Sequence, residues 1–178
     1  MTRGELEHAI RAACDVADDT EVYVFGSQAI LGQYPNASEQ LRQSGEADVM
    51  PKNHPERVDL VDGALGELSQ FHTTHRFYVH GVSIKAARLP SGWRKRCVAV
   101  RNANTNNHTG WCLEGHDLAV SKLAAFRDKD RAFVRVLLRE GMIDRKTLIR
   151  RLGATRLRAE LRERILAWVR ATADELGA

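Results

Sequence analysis

At 178 residues, 43% hydrophobic and 28% charged, the chain has the makeup of one soluble globular domain, long enough to bury a core without staples. No apolar run approaches the roughly 18 residues of a membrane span, and the mixed-charge N-terminus lacks the apolar segment of an export signal, so a cytoplasmic chain without a membrane partner is expected. The cysteines Cys14, Cys97 and Cys112 contain no CxxC pair and speak against a disulfide framework or a zinc cluster, while a net charge of +4 admits nucleic acid without requiring it.

Leu6, Ala9, Ile10, Ala13 and Val16 recur at helical spacing and predict an amphipathic helix over 4–17. "EVYVF" (21–25) reads as a buried strand ended by Gly26, after which Ser27 is the candidate N-cap of a short helix over "SQAILGQY". Pro35, Asn36 and Ser38 break that helix, and a polar connection leads to "EADVMP" (46–51), a second strand closed by Pro51. "RVDLVDGALGELSQFHTTH" (57–75) is helical in period, with Val58, Val61, Leu65 and Leu68 on one side. "RFYVHGVSIKAARLP" and "RKRCVAVRN" read as two strands joined at Pro90, Ser91 and Gly92 into a hairpin, and "NANTNNHTG" as a polar loop. From Trp111 to Gly141 the apolar positions mark one long or two consecutive helices, and two further helical stretches complete the chain. The order is α+β: a mixed sheet flanked by helices over 1–112 and a helical part over 113–178, packed together as one unit.

The chemistry sits at two of these junctions. A strand that ends in Gly-Ser and opens into a helix offers backbone N–H groups, a hydroxyl and the positive end of a helix dipole, which suits phosphate. On the next strand, period two puts Glu46 and Asp48 on one face and Ala47 on the other, and two carboxylates so placed suit Mg²⁺, which takes few carboxylates plus water and phosphate oxygens. Taken singly, a Gly-Ser pair is a turn and an exposed acid-x-acid a solvated strand face. In this order they compose a site for a metal-bound nucleoside triphosphate.

On these residues the chain resembles the polymerase-β-like nucleotidyltransferase superfamily and, within it, the bacterial MenT/AbiEii-type toxins. Gly26-Ser27 is similar to that superfamily's Gly-Ser motif, Glu46 and Asp48 to its metal-binding acids, and "LEGHDLAVSKLAAFRDKDRAF" (113–133) to a later helical motif carrying Lys122 and Asp130. The resemblance implies a minimal nucleotidyltransferase fold and Mg²⁺-dependent transfer from an NTP to a hydroxyl, with the 3′ end of tRNA as acceptor and a cognate antitoxin as partner. It makes Gly26, Ser27, Gln28, Lys122 and Arg127 nucleotide contacts, Glu46 and Asp48 metal ligands, and Asp130 a support for Lys122 or Arg127. Transfer to a small molecule and a degenerate, non-catalytic binding module are the alternatives.

The chain departs from the pattern in three places. Glu46 stands where aspartate is usual, the gap to Ser27 implies an insertion around 34–44, and "VSIKAAR" and "RCVAVR" offer no third carboxylate. The base that deprotonates the acceptor is left among Asp48, Asp130 and the substrate itself.

Beyond the motifs, Lys122 reads as running along an apolar helix edge, with Asp130 returning to about the same side. His72 and His75 have i,i+3 spacing but lack a third ligand and read as surface polarity. Trp93 with Arg94, Lys95 and Arg96 offers a ring and three cations to RNA, as do Arg150 and Arg151 more weakly. From Met142 onward nine Lys or Arg stand against five Asp or Glu, so the basic excess lies at the C-terminal end.

Overall fold

Thr2 starts the first helix with a capping box: its hydroxyl accepts from the Glu5 N–H, and the Glu5 carboxylate accepts from the Thr2 N–H. The computed structural model, which describes residues 1–177, carries this helix, α1, over Arg3–Ala17, with Leu6, Ala9, Ile10, Ala13 and Cys14 wholly buried. Strands follow as β1 (Glu21–Val24), β2 (Glu46–Pro51), β3 (Tyr78–Gly81), β4 (Val98–Val100) and β5 (Thr109–Cys112), in the sheet order β3-β2-β1-β5-β4. β1 runs antiparallel to β2 and parallel to β5, β2 parallel to β3, and β4 antiparallel to β5. This is an α+β chain with a five-stranded mixed sheet, the fold class read from the sequence.

The chain divides into two units, Met1–Ala86 with Arg96–Glu114, and Ala87–Lys95 with Gly115–Ala178. The first unit holds the sheet, α1, the short α2 (Ile30–Gln33), α3 (Val58–Leu65) and α4 (Gln70–His75). The second holds α5 (Gly115–Ala125), α6 (Asp128–Arg139), α7 (Arg145–Gly153) and α8 (Ala159–Leu176), around Leu118, Leu123, Val134, Leu137, Leu148 and Leu152. Among the described residues no helix is long and apolar enough to cross a membrane.

Four expectations change. The hairpin over 76–102 does not form: β3 and β4 lie on opposite edges of the sheet, because each finds its partner in an earlier or later strand, β2 or β5. The polar loop holds over 102–108 but ends in β5, whose Thr109 and Gly110 pair with β1 and are buried, and whose Trp111 and Cys112 are strand where a helix was expected to begin, α5 starting only at Gly115. The helical stretch 57–75 is two helices: α3 ends at Gly66, and Ser69 caps α4 by accepting from the His72 N–H. Leu68, between them at φ +66°, is exposed rather than on the buried side. Finally Ser27 is the first residue of a 3₁₀ turn, Ser27–Ala29, with Gly26 in the cap position and no side-chain cap bond.

Candidate active site

β1 and β2 set the Gly-Ser turn against the acid pair. Val24 faces Val49, and the next step outward is the bond from the Phe25 N–H to the Asp48 carbonyl, 2.8 Å. Gly26 therefore comes to lie beside the Asp48 side chain. A Cβ built on Gly26 would stand 1.9 Å from Asp48 Oδ2, and the residue has φ +60°, so only glycine fits, by space and by conformation alike. The fully buried Gln28 braces the turn from below, its amide donating to the Leu41 carbonyl at 3.4 Å, which puts this expected nucleotide contact inside the protein. Ser27 is half-buried.

The alternation read for β2 is present. Ala47 and Val49 are wholly buried on one face, while the Glu46 and Asp48 side chains, 34% and 26% exposed, share the other. The extra methylene of Glu46 does not take it out of the cluster, since its Oε1 reaches the same ring nitrogen that Asp48 reaches.

That ring is His80, a residue for which the sequence reading had no role. Parallel pairing sets Asp48 opposite His80 and Glu46 opposite Tyr78. His80 Nδ1 stands 3.0 Å from Glu46 Oε1 and 3.3 Å from Asp48 Oδ1, and its Nε2 is 3.8 Å from Asp62 Oδ1 on α3. One donor atom from each of Glu46, Asp48 and His80 lies within 4.8 Å of the others, the one such cluster of three among the described residues. Two carboxylates and an imidazole converging in this way suit a divalent cation. The third group of the site is thus an imidazole on β3, and looking for a carboxylate on the later strands passed over it. The signal in the sequence was "YVHG", where His80 alternates with the buried Val79. Beside the cluster, burial first and then the Glu46 carboxylate, with Glu67 and Asp48, push the Tyr78 phenol up, so it stays a neutral hydroxyl.

The second unit, by itself, holds the other residues singled out in the sequence. α5 stops at Ala125, Phe126 takes φ +54°, and α6 begins at Asp128, so of the two readings of this stretch the structure has the two consecutive helices, with Lys122 on the first and Asp130 on the second. The break brings them together nonetheless. Asp130, 1% exposed, accepts from Arg127 Nε at 2.7 Å and from its terminal nitrogen at 3.3 Å, and lies 3.8 Å from Lys122 Nζ. The Lys122 ammonium also sits 5.5 Å from the centre of the Phe133 ring, so it is held instead of reaching into solvent. The hydrogen bond to Asp130, and then the charge of that carboxylate, raise Arg127 above its ordinary value and keep it a cation.

The weaker readings separate. Trp93 is buried and Arg94 lies over its ring at 4.7 Å, so that indole is a core residue and not a platform for bases. Lys95 and Arg150 are exposed and Arg96 half-buried, while Arg151 Nε lies 3.4 Å from the buried Asp117. His72 packs on Tyr78 and His75 on His8 and Phe71, which accounts for both as ring contacts.

A sheet strand running into Gly-Ser beside an acid-x-acid strand, with helices around it, defines a protein of the nucleotidyltransferase class. The chain belongs to a family described as nucleotidyltransferase of unknown function (DUF6036), whose model matches residues 5–166. No curated protein and no solved structure matches it.

Proposed function

We propose that the chain moves a nucleotide from an NTP to a hydroxyl acceptor, that this acceptor is the 3′ end of tRNA, and that the chain is the toxin of a cytoplasmic toxin–antitoxin pair. The observation that supports the transfer reading is the closeness of the Asp48 carboxylate to Gly26: a turn suited to phosphate lies beside a carboxylate suited to a cation. Family membership supports the same reaction class. The basic C-terminal stretch supports an RNA acceptor, and the toxin role and its antitoxin rest on the resemblance to the toxins carried by Gly26-Ser27, Glu46, Asp48 and residues 113–133.

Glu46 and Asp48 would hold the ion, Mg²⁺ in the resemblance, which when bound neutralises phosphate charge. The convergence of their oxygens fits such an ion. The acceptor oxygen attacks the α-phosphorus, the bond from that phosphorus to the bridging oxygen breaks, and pyrophosphate leaves. By the resemblance Lys122 and Arg127 would contact the phosphates, and within their own unit Asp130 pairs with both; the turn at Gly26-Ser27 would supply N–H groups. Asp130 is already committed to two cations, so Asp48 is the better placed acceptor for the hydroxyl proton.

Incubation with each labelled NTP, Mg²⁺ and total tRNA tests this. Label is expected on tRNA from one preferred NTP, and Asp48→Asn should reduce it to background with the fold intact by circular dichroism. Label on a small hydroxylated acceptor alone would replace tRNA as substrate. No transfer to any acceptor, with wild type and Asp48→Asn alike, sinks the transferase reading.

A further inference from the structure

His80 Nδ1 faces two carboxylate oxygens, Glu46 Oε1 at 3.0 Å and Asp48 Oδ1 at 3.3 Å. A cation at the point of convergence engages all three groups at once. The other ring nitrogen is also provided for. Asp62 Oδ1 lies 3.8 Å from Nε2, within charge reach though beyond a hydrogen bond, and accepts the Gly81 N–H at 3.3 Å; with a cation held by Nδ1, the ring proton sits on Nε2, on the side that carboxylate faces. α3 comes close enough for this because residue 81 is glycine: a Cβ there would stand 2.0 Å from the Val58 carbonyl oxygen and 3.1 Å from the Asp62 nitrogen.

We propose that His80 is the third protein ligand of the cation, through Nδ1, with Asp62 as its positioning residue, and that this nitrogen makes the site bind Mn²⁺ in preference to Mg²⁺. The proposal rests on the reading that Glu46 and Asp48 hold a divalent ion. Mg²⁺ demands oxygen ligands in a near-ideal octahedron and keeps its water; Mn²⁺ shares its liking for carboxylates but, as a transition ion, accepts an imidazole nitrogen more readily, so a nitrogen added to the two oxygens moves the balance. Glu46, longer than the usual aspartate, belongs to the same adaptation, because its Oε1 meets the imidazole at the shared point.

The test needs no nucleotide. Mn²⁺ is titrated into the purified, full-length protein and followed by electron paramagnetic resonance, with pulsed measurement of coupling to ¹⁴N and Mg²⁺ as competitor. The wild type should bind one Mn²⁺ with ¹⁴N coupling, at least about tenfold more tightly than Mg²⁺. His80→Asp should keep a bound ion, lose the coupling and bring the two affinities together. His80→Asn reports the same loss should the aspartate variant fold poorly. Asp62→Asn should keep the coupling and weaken Mn²⁺ by about tenfold. Coupling that persists without His80, or Mn²⁺ bound in an Asp48-dependent way without coupling, overturns the proposal. A wild type that binds no divalent ion overturns it together with the metal reading on which it rests. Intact coupling in a protein that transfers no nucleotide leaves His80 a ligand and removes only the transferase reading.

Discussion

Asp19 and Asp48 stand at opposite ends of the β1–β2 pair, and their surroundings give two aspartates different uses. Asp19 is buried and saturated: it accepts from the Glu21, Asn53 and His54 N–H groups and from the Asn53 amide, at 2.7 to 3.1 Å. Burial opposes its ionisation, but these hydrogen bonds outweigh the penalty and hold its carboxyl below the ordinary carboxylate value. A lowered folded value means that its contribution is whole above the unfolded carboxylate range and is lost as the pH falls through the folded value. Asp19→Asn should therefore cost roughly 1.5–3 kcal/mol at neutral pH, and the gap to wild type should close in acid. Urea midpoints taken from neutral to acid pH measure this, and a pH-independent gap would show that ionisation of Asp19 is not what holds the turn. Asp48 instead turns Oδ1 to His80 and has Oδ2 beside Gly26, in a half-exposed position where a cation has access. The Glu46-Asp48 pair was legible from period two alone. His80 was not, because nothing adjacent to it in sequence carries chemistry.

At the scale of elements, the junction of β1 with its 3₁₀ turn is the most constrained point of the site. Gly26→Ala puts a methyl group into Asp48 and a side chain at φ +60°, and is expected to destabilise by about 1–3 kcal/mol. Because the clash falls on a carboxylate proposed to hold the ion, the variant should also lose Mn²⁺ affinity in the same titration. A stable Gly26→Ala protein with unchanged affinity would mean that the turn and the acid pair are not coupled. The expected hairpin failed at this scale for a physical reason. Turn chemistry at Pro90-Ser91-Gly92 is local, but strand pairing is decided by which edges remain to be covered, and β3 and β4 complete opposite edges. The break at Phe126 is similar. Apolar spacing continued through it, yet Arg131 and Arg164 both lie over that ring, 4.8 and 4.6 Å from its centre, and α6 starts afresh two residues on.

For the molecule as a whole, the cysteines report on the core. Cys14 and Cys112 are fully buried, and burial before all else pushes each thiol up to about 12, so neither offers a thiolate at neutral pH. Iodoacetamide should add at most one group to the native protein, at the half-buried Cys97, and three after denaturation, as read by mass spectrometry. A second native adduct would mean that the core opens readily. Period two, helical spacing and turn residues are properties of neighbours along the chain, and they were enough to specify α1, β1, β2, the Gly26-Ser27 turn and the shared face of Glu46 and Asp48. The partner of that face came from elsewhere. His80 lies 32 residues beyond Asp48, and the two meet only because β2 and β3 pair in parallel, in the register that buries Ala47, Val49 and Val79 together. Register is set by packing across strands, and no local pattern carries it.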